Sequence, residues 1–151
     1  MRRAAPLWLL AAAAVGVGAP AESAGACKST RPDALGPFYE PGAPVRSKVG
    51  TGYVLSGRVL AAGSCRALAR ARIEFWLVNP RGVYDDAHRA TVFTRKDGRY
   101  RFESNRPVAY GTRPPHIHVR VTARGFRTLV TQHYPRAGRS QAVFNLVLRR
   151  A

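Results

Sequence analysis

Between residues 53 and 148, apolar and polar side chains alternate in short runs separated by turn residues, with the two-residue period of strands rather than the 3.6-residue period of helices. The runs fall at 53–60, 72–78, 90–94, 99–103, 117–122, 128–133 and 142–148. Ile73, Phe75 and Leu77 are expected on one face of their strand and Glu74, Trp76 and Val78 on the other, while Phe144, Leu146 and Leu148 make a second apolar face. Asn79-Pro80-Arg81-Gly82 closes one strand, and Lys96-Asp97-Gly98 between two alternating runs predicts a hairpin. The pattern predicts an all-β fold, an antiparallel β-sandwich of about seven to eight strands. Ahead of it, residues 27–52 carry Pro32, Pro37, Pro41 and Pro44 with Gly36, Gly42, Gly50 and Gly52, which predicts an extended N-terminal arm.

The first residues read differently. Arg2 and Arg3 precede an apolar run over 7–17, and Ala19, Ala21, Ser23, Ala24 and Ala26 follow, the order of a secretory signal peptide over residues 1–26. The run falls well short of the roughly 20 residues that cross a bilayer as a helix, so no transmembrane segment is expected. The expected layout is a removed signal peptide (1–26), an arm (27–52) and one domain (53–151), exported to the periplasm or the extracellular space. Export bears on Cys27 and Cys65, because oxidising compartments favour a disulfide between them; the alternative is two unrelated thiols.

The formal net charge of +17 is nearly all arginine, spread along the chain without a basic block or interleaved stacking aromatics. Such a field attracts anionic polymers non-specifically, and no specific nucleic-acid partner is expected.

Candidate chemistry concentrates in Pro114-Pro115-His116-Ile117-His118-Val119-Arg120-Val121. In a strand, residues i and i+2 share a face, so His116 and His118 project together while Ile117, Val119 and Val121 turn to the core, giving half of a metal site. The remaining histidines, His88 and His133, read as solvated or packing residues, and His133 should face away from Gln132 and Tyr134. With the cysteines expected in a bridge, further ligands should be oxygen donors. Tyr84 and Tyr110 sit in loops near strand ends, where sites are built, although a tyrosine so placed, taken singly, is more often a packing or surface residue.

Several segments occur together in one order: Gly36-Pro37-Phe38-Tyr39 with Pro41-Gly42-Ala43-Pro44; Ile73-Glu74-Phe75-Trp76-Leu77-Val78-Asn79 with Gly82 and Tyr84; Asp97-Gly98-Arg99-Tyr100-Arg101-Phe102; Tyr110; Arg113-Pro114-Pro115-His116-Ile117-His118; and Thr131-Gln132-His133-Tyr134. In these the sequence resembles the intradiol ring-cleavage dioxygenases, the iron(III) enzymes that include catechol 1,2- and protocatechuate 3,4-dioxygenases. The resemblance implies that Tyr84, Tyr110, His116 and His118 ligate a non-haem Fe(III), with Arg113 and Gln132 as catalytic residues beside it. It implies a small aromatic diol and O2 as substrates, release of Tyr110 as the diol binds, and a muconate-type diacid as product. The residue types suit the metal, since a hard trivalent cation draws a phenol's pKa far below its free value of about 10.

The chain departs from the better-known members in length, with no room for their helical dimerisation segment, and it resembles a small exported branch. Thr112 stands where many members place an aromatic, and the Tyr110–His116 spacing is compressed. The strand pattern from Ser56 to Phe102 also resembles transthyretin-like accessory domains, which implies a non-catalytic exported β-sandwich binding module as the alternative.

Overall fold

In the computed structural model, which describes residues 26–151, Phe75 and Phe102 stack with ring centroids 4.3 Å apart, and this contact joins two sheets. The strands are β1 (Gly52–Ala61), β2 (Arg72–Trp76), β3 (Arg89–Phe93), β4 (Arg99–Asn105), β5 (Ile117–Thr122), β6 (Leu129–His133), β7 (Gln141–Val143) and β8 (Leu146–Leu148). One sheet has the order β4-β1-β7, with β8 also paired to β1; the other has the order β3-β2-β5-β6. Ile73, Phe75, Val119, Val121 and Ile117 point inward from the second sheet and meet Leu55, Val59, Phe102, Leu146 and Leu148 of the first, as the period-two alternation predicts. The expected β-sandwich is thus present. The signal-peptide reading falls, apart from Ala26, outside the described residues, and no helix among those residues is long and apolar enough to cross a membrane.

Two local expectations are corrected. The Lys96-Asp97-Gly98 turn forms, with Gly98 N–H donating to the Arg95 carbonyl, but β3 and β4 lie in different sheets, so the turn is a corner between layers and not a hairpin. Ala71 and Leu68 hold Thr94 to the β2 side, and Gly98 sits where a Cβ would come within 2.8 Å of the Val59 carbonyl, against β1. The single run expected at 142–148 is two short strands, both parallel to β1 rather than antiparallel. At the break the Asn145 side chain accepts the Arg58 N–H at 3.0 Å, and the Phe144 carbonyl turns over Gly57 to accept the Tyr100 hydroxyl at 2.6 Å. Any Cβ at Gly57 would lie 2.2 Å from that carbonyl, so only glycine admits the approach.

Cys27 and Cys65 form a disulfide across 38 residues. From this anchor the chain runs extended along β8 and β6, where Thr30 N–H donates to Val147 and Asp33 N–H to Val130. It then crosses the outer face of the second sheet. There Tyr39 packs on Trp76, and Pro44 accepts the Thr91 N–H on β3. Beneath it Glu74 is buried, sharing its carboxylate among Arg120 (2.7 Å), Arg72 (3.3 Å) and the Tyr39 hydroxyl (3.2 Å). A carboxylate can be held there only because it has these partners.

Candidate functional site

His116 and His118 leave the start of β5 on one face, as the alternation predicts, and each is only 2% exposed. The His116 Nδ1–H donates to the Pro114 carbonyl at 2.7 Å, which leaves a lone pair on Nε2. His118 lies flat against Trp76, its neighbour across the β2–β5 ladder, with centroids 4.8 Å apart and planes 2° from parallel. The His118 Nδ1 and the Trp76 indole nitrogen are both buried without a partner.

Turn chemistry delivers the two tyrosines. The Asn79 side chain accepts N–H bonds from Arg81 and Val83 and donates to Asp85, which folds the loop that presents Tyr84. Tyr110 and Arg113 exchange backbone hydrogen bonds across a two-residue turn with Gly111 at φ +53°, and this tight closure accommodates the compressed spacing to His116. Phe38 of the arm stacks on Tyr84 at 4.4 Å, and Gly36 passes so close that a Cβ would lie 3.1 Å from His118 Cε1.

Four donor atoms converge. Tyr84 Oη lies 2.9 Å from His118 Nε2, 3.4 Å from His116 Nε2 and 3.1 Å from Tyr110 Oη, and the two Nε2 atoms are 3.1 Å apart. Ligands at about 2.0–2.1 Å from one ion stand about 2.9 Å apart at a right angle and about 3.3 Å apart at the tetrahedral angle. The separations therefore match those of ligands around a single metal ion, and the donor set of two imidazoles and two phenols suits Fe(III). Among the described residues no group of three or more His, Cys, Asp or Glu side chains could hold a metal, so the phenols are needed to complete the set.

Burial lowers the His118 pKa to about 3, helped by the neighbouring His116 and Arg113 and opposed by Asp33. Burial also lowers His116, so both imidazoles stand neutral near pH 7, the form that ligates metals. Burial and the Tyr110 hydroxyl raise the Tyr84 phenol above its ordinary value, so a cation entering the cluster must displace that proton.

Arg113 and Gln132 flank the cluster, and the Arg113 guanidinium donates to Gln132 Oε1. The Gln132 amide donates to the Ala34 carbonyl at 2.7 Å. The Tyr134 hydroxyl lies 2.8 Å from Asp33 Oδ2, 3.0 Å from Gln132 Oε1 and 3.5 Å from an Arg113 nitrogen. Burial pushes the Asp33 carboxyl up, but the Ala34 N–H, the Tyr134 hydroxyl and the Arg113 charge outweigh it and hold the group below its ordinary value. His133 faces away from Gln132, as expected, and bonds the Tyr53 hydroxyl at 2.7 Å; His88 bonds Asp85 at 2.6 Å.

All six residues singled out in sequence at this end of the sandwich are therefore brought together, and four more join them. Tyr134 could have been found, since it shares period-two alternation with Gln132. Asp33 carries no signal, and the Gly36-Pro37-Phe38-Tyr39 segment marks Gly36 and Phe38 without saying what they cover, because the arm has no regular pattern.

No protein-family model matches the chain. It is 33% identical to catechol 1,2-dioxygenase 2 of Acinetobacter lwoffii, over 64% of this chain and 48% of that protein. It is 32% identical to hydroxyquinol 1,2-dioxygenase of a Rhizobium species, over 81% of this chain and 53% of that protein. The chain spans about half the length of the curated relatives it matches. Among solved structures, the dioxygenase domain of a dioxygenase carbohydrate-binding protein fusion from Streptomyces sp. SirexAA-E superposes with a TM-score of 0.74 at 27% identity, covering 82% of this chain and 100% of that one. An intradiol ring-cleavage dioxygenase from Tetranychus urticae shares the fold, with a TM-score of 0.72 at 16% identity over 82% of this chain and 95% of that one.

Proposed function

We propose, from the premise that this chain is a relative of the intradiol ring-cleavage dioxygenases, that it is itself a non-haem iron(III) enzyme of that kind. It opens a catechol-type ring between the two hydroxylated carbons with O2, giving a muconate-type diacid. The observation that carries this reading is the convergence of Tyr84, Tyr110, His116 and His118, with Tyr84 Oη 2.9 to 3.4 Å from each of the other three donor atoms and the two imidazole Nε2 atoms 3.1 Å apart.

Iron bound there would supply the Lewis acidity that keeps both phenols ionised and activates the diol towards oxygen. The chain's own residues do the rest. Pro114 fixes the tautomer of His116, and Trp76 fixes the plane of His118. Tyr110 stands on an exposed turn at Gly111 and Thr112, so it is the donor free to swing aside and take a proton from an incoming hydroxyl on its Oη. Arg113 sets a fixed positive charge where negative charge develops on the ring, with nothing to reorganise as it does so. Gln132, held from both sides, offers a polar group to O2 or hydroxide, and Phe38 excludes water from one side of Tyr84.

Export belongs to the same proposal, supported by the Arg2-Arg3-led apolar run and by the Cys27–Cys65 bridge. The deciding experiment is iron analysis and visible spectroscopy of the purified chain, before and after catechol. Stoichiometric iron, a tyrosinate charge-transfer band that shifts on adding catechol, and a diacid product are expected. A colourless chain that takes up no iron would overturn the reading and leave the β-sandwich binding module.

A further inference from the structure

Arg113 reaches the cluster from a loop turn and, among the described residues, has no carboxylate within ion-pair distance, yet its guanidinium is not free to wander. It is held by Gln132 Oε1, and the Tyr134 hydroxyl approaches the same nitrogen and the same Gln132 oxygen. That hydroxyl has one proton. Asp33 Oδ2, the charged acceptor, competes for it with the neutral Gln132 carbonyl and is the stronger partner. With the proton turned to Asp33, the phenol's lone pairs turn to Arg113.

Asp33 is itself pinned. Its N–H donates to Val130, its Oδ1 accepts the Ala34 N–H at 2.7 Å, and the Ala34 carbonyl takes the Gln132 amide. Two consecutive arm residues thus grip both side chains that hold the arginine. Among the described residues, Asp33 is also the one carboxylate whose charge acts on both His116 and His118, against the opposing charge of Arg113.

We propose that Asp33, acting through the Tyr134 hydroxyl, is a positioning residue that fixes the Arg113 guanidinium beside the Tyr84–Tyr110–His116–His118 cluster. Among the described residues neither Asp33 nor Tyr134 is hydrogen-bonded to the four donor atoms, and the Tyr134 ring, which stands 6.1 Å from the His116 ring, is kept in Tyr134→Phe, so the hydroxyl and the carboxylate act on orientation and not on metal retention. The proposal rests on the ring-cleavage reading for its effect on turnover, but its structural content stands apart from that reading.

The experiment compares Asp33→Asn, Tyr134→Phe and Asp33→Glu with the parent chain in the iron-loaded protein, with Asp97→Asn as a control that removes the same charge from a remote turn. Three sets of readouts are taken: iron content and colour, kcat and KM for catechol, and the Arg113 Nε–H resonance by NMR of the same chains before iron loading, where no paramagnetic ion broadens it. Asp33→Asn and Tyr134→Phe should keep iron and colour, lower kcat tenfold or more with KM changed less than threefold, and move the Arg113 resonance to the averaged position of exposed arginines. Asp33→Glu should restore part of both, and Asp97→Asn should alter neither. Parent-like kcat in the first two variants would overturn the proposal, as would a fall in kcat with the Arg113 resonance unmoved, or an equal fall in Asp97→Asn. If the loaded parent chain cleaves no catechol, the functional reading fails by itself, and the Arg113 resonance still decides whether Asp33 and Tyr134 position that side chain.

Discussion

The outer faces of the two sheets are built from similar residues and behave in opposite ways. On β1 and β4 the outward side chains are Arg58, Arg99, Arg101 and Glu103, and in the Arg101–Glu103 and Lys48–Glu103 pairs the cations are exposed. On β2 and β5 the outward residues are Glu74, Trp76, His118 and Arg120, and Glu74, Trp76 and His118 are buried. The arm accounts for the difference. Where it lies across a sheet, polar side chains lose water and must satisfy one another, so an ordinary alternating strand face becomes a site with fixed geometry. Where it only runs along the edge of β4, pairing Ser47 and Val49 with Glu103, the same alternation leaves its arginines in solvent.

The sharpest break in that comparison comes from His118→Ala. It should abolish stoichiometric iron binding and ring cleavage, whereas Arg101→Ala on the open face should leave both intact; iron analysis with a catechol assay checks the pair. Next, Glu74→Ala removes the buried carboxylate that Arg120, Arg72 and Tyr39 share and leaves two partly exposed arginines, so it should cost about 2–4 kcal/mol in denaturant unfolding. Glu103→Ala, the matching change on the open face, should not move the midpoint measurably.

Tethering the arm comes third. Cys27→Ser with Cys65→Ser, or reduction of the bridge, should lower stability by roughly 3–4 kcal/mol in the chain-entropy model, read as a fall in melting temperature. Unchanged melting would show that docking contacts alone hold the arm. The smallest effect belongs to His133, on the far side of β6 from Gln132. Burial lowers its pKa to about 4 from an unfolded value of about 6.5, so the unfolded chain binds the extra proton between those values. Its contribution should be fully present above pH 6.5 and lost as pH falls towards 4, on the order of 1–2 kcal/mol given its partial exposure. His133→Gln should flatten that part of the stability profile.

The same contrast explains what could be read from the chain. His116 and His118 were legible because a strand period fixes which side chains share a face, and the order of motifs around Tyr84, Tyr110, Arg113 and Gln132 marked the loops. The corner at Lys96-Asp97-Gly98 was misread because a turn signal specifies local geometry and not which sheet the next strand joins. The parallel pairing of β7 and β8 was hidden for a related reason, since register depends on Gly57 letting the Phe144 carbonyl approach. Asp33 gave no sign, and the Gly36-Pro37-Phe38-Tyr39 segment marked Tyr39 without its partners, because these are set by where an aperiodic arm comes to rest.

That resting place has an entropic side. The arm meets β6 and β8 through contacts such as Gln132 with Ala34 and Val147 with Thr30, separated by 98 and 117 residues along the chain. Contacts this distant carry a large loop-closure entropy, which the arm must repay each time it docks. Because Gly36 lies against His118 and Phe38 against Tyr84, docking of the arm and closure over these two side chains are one event.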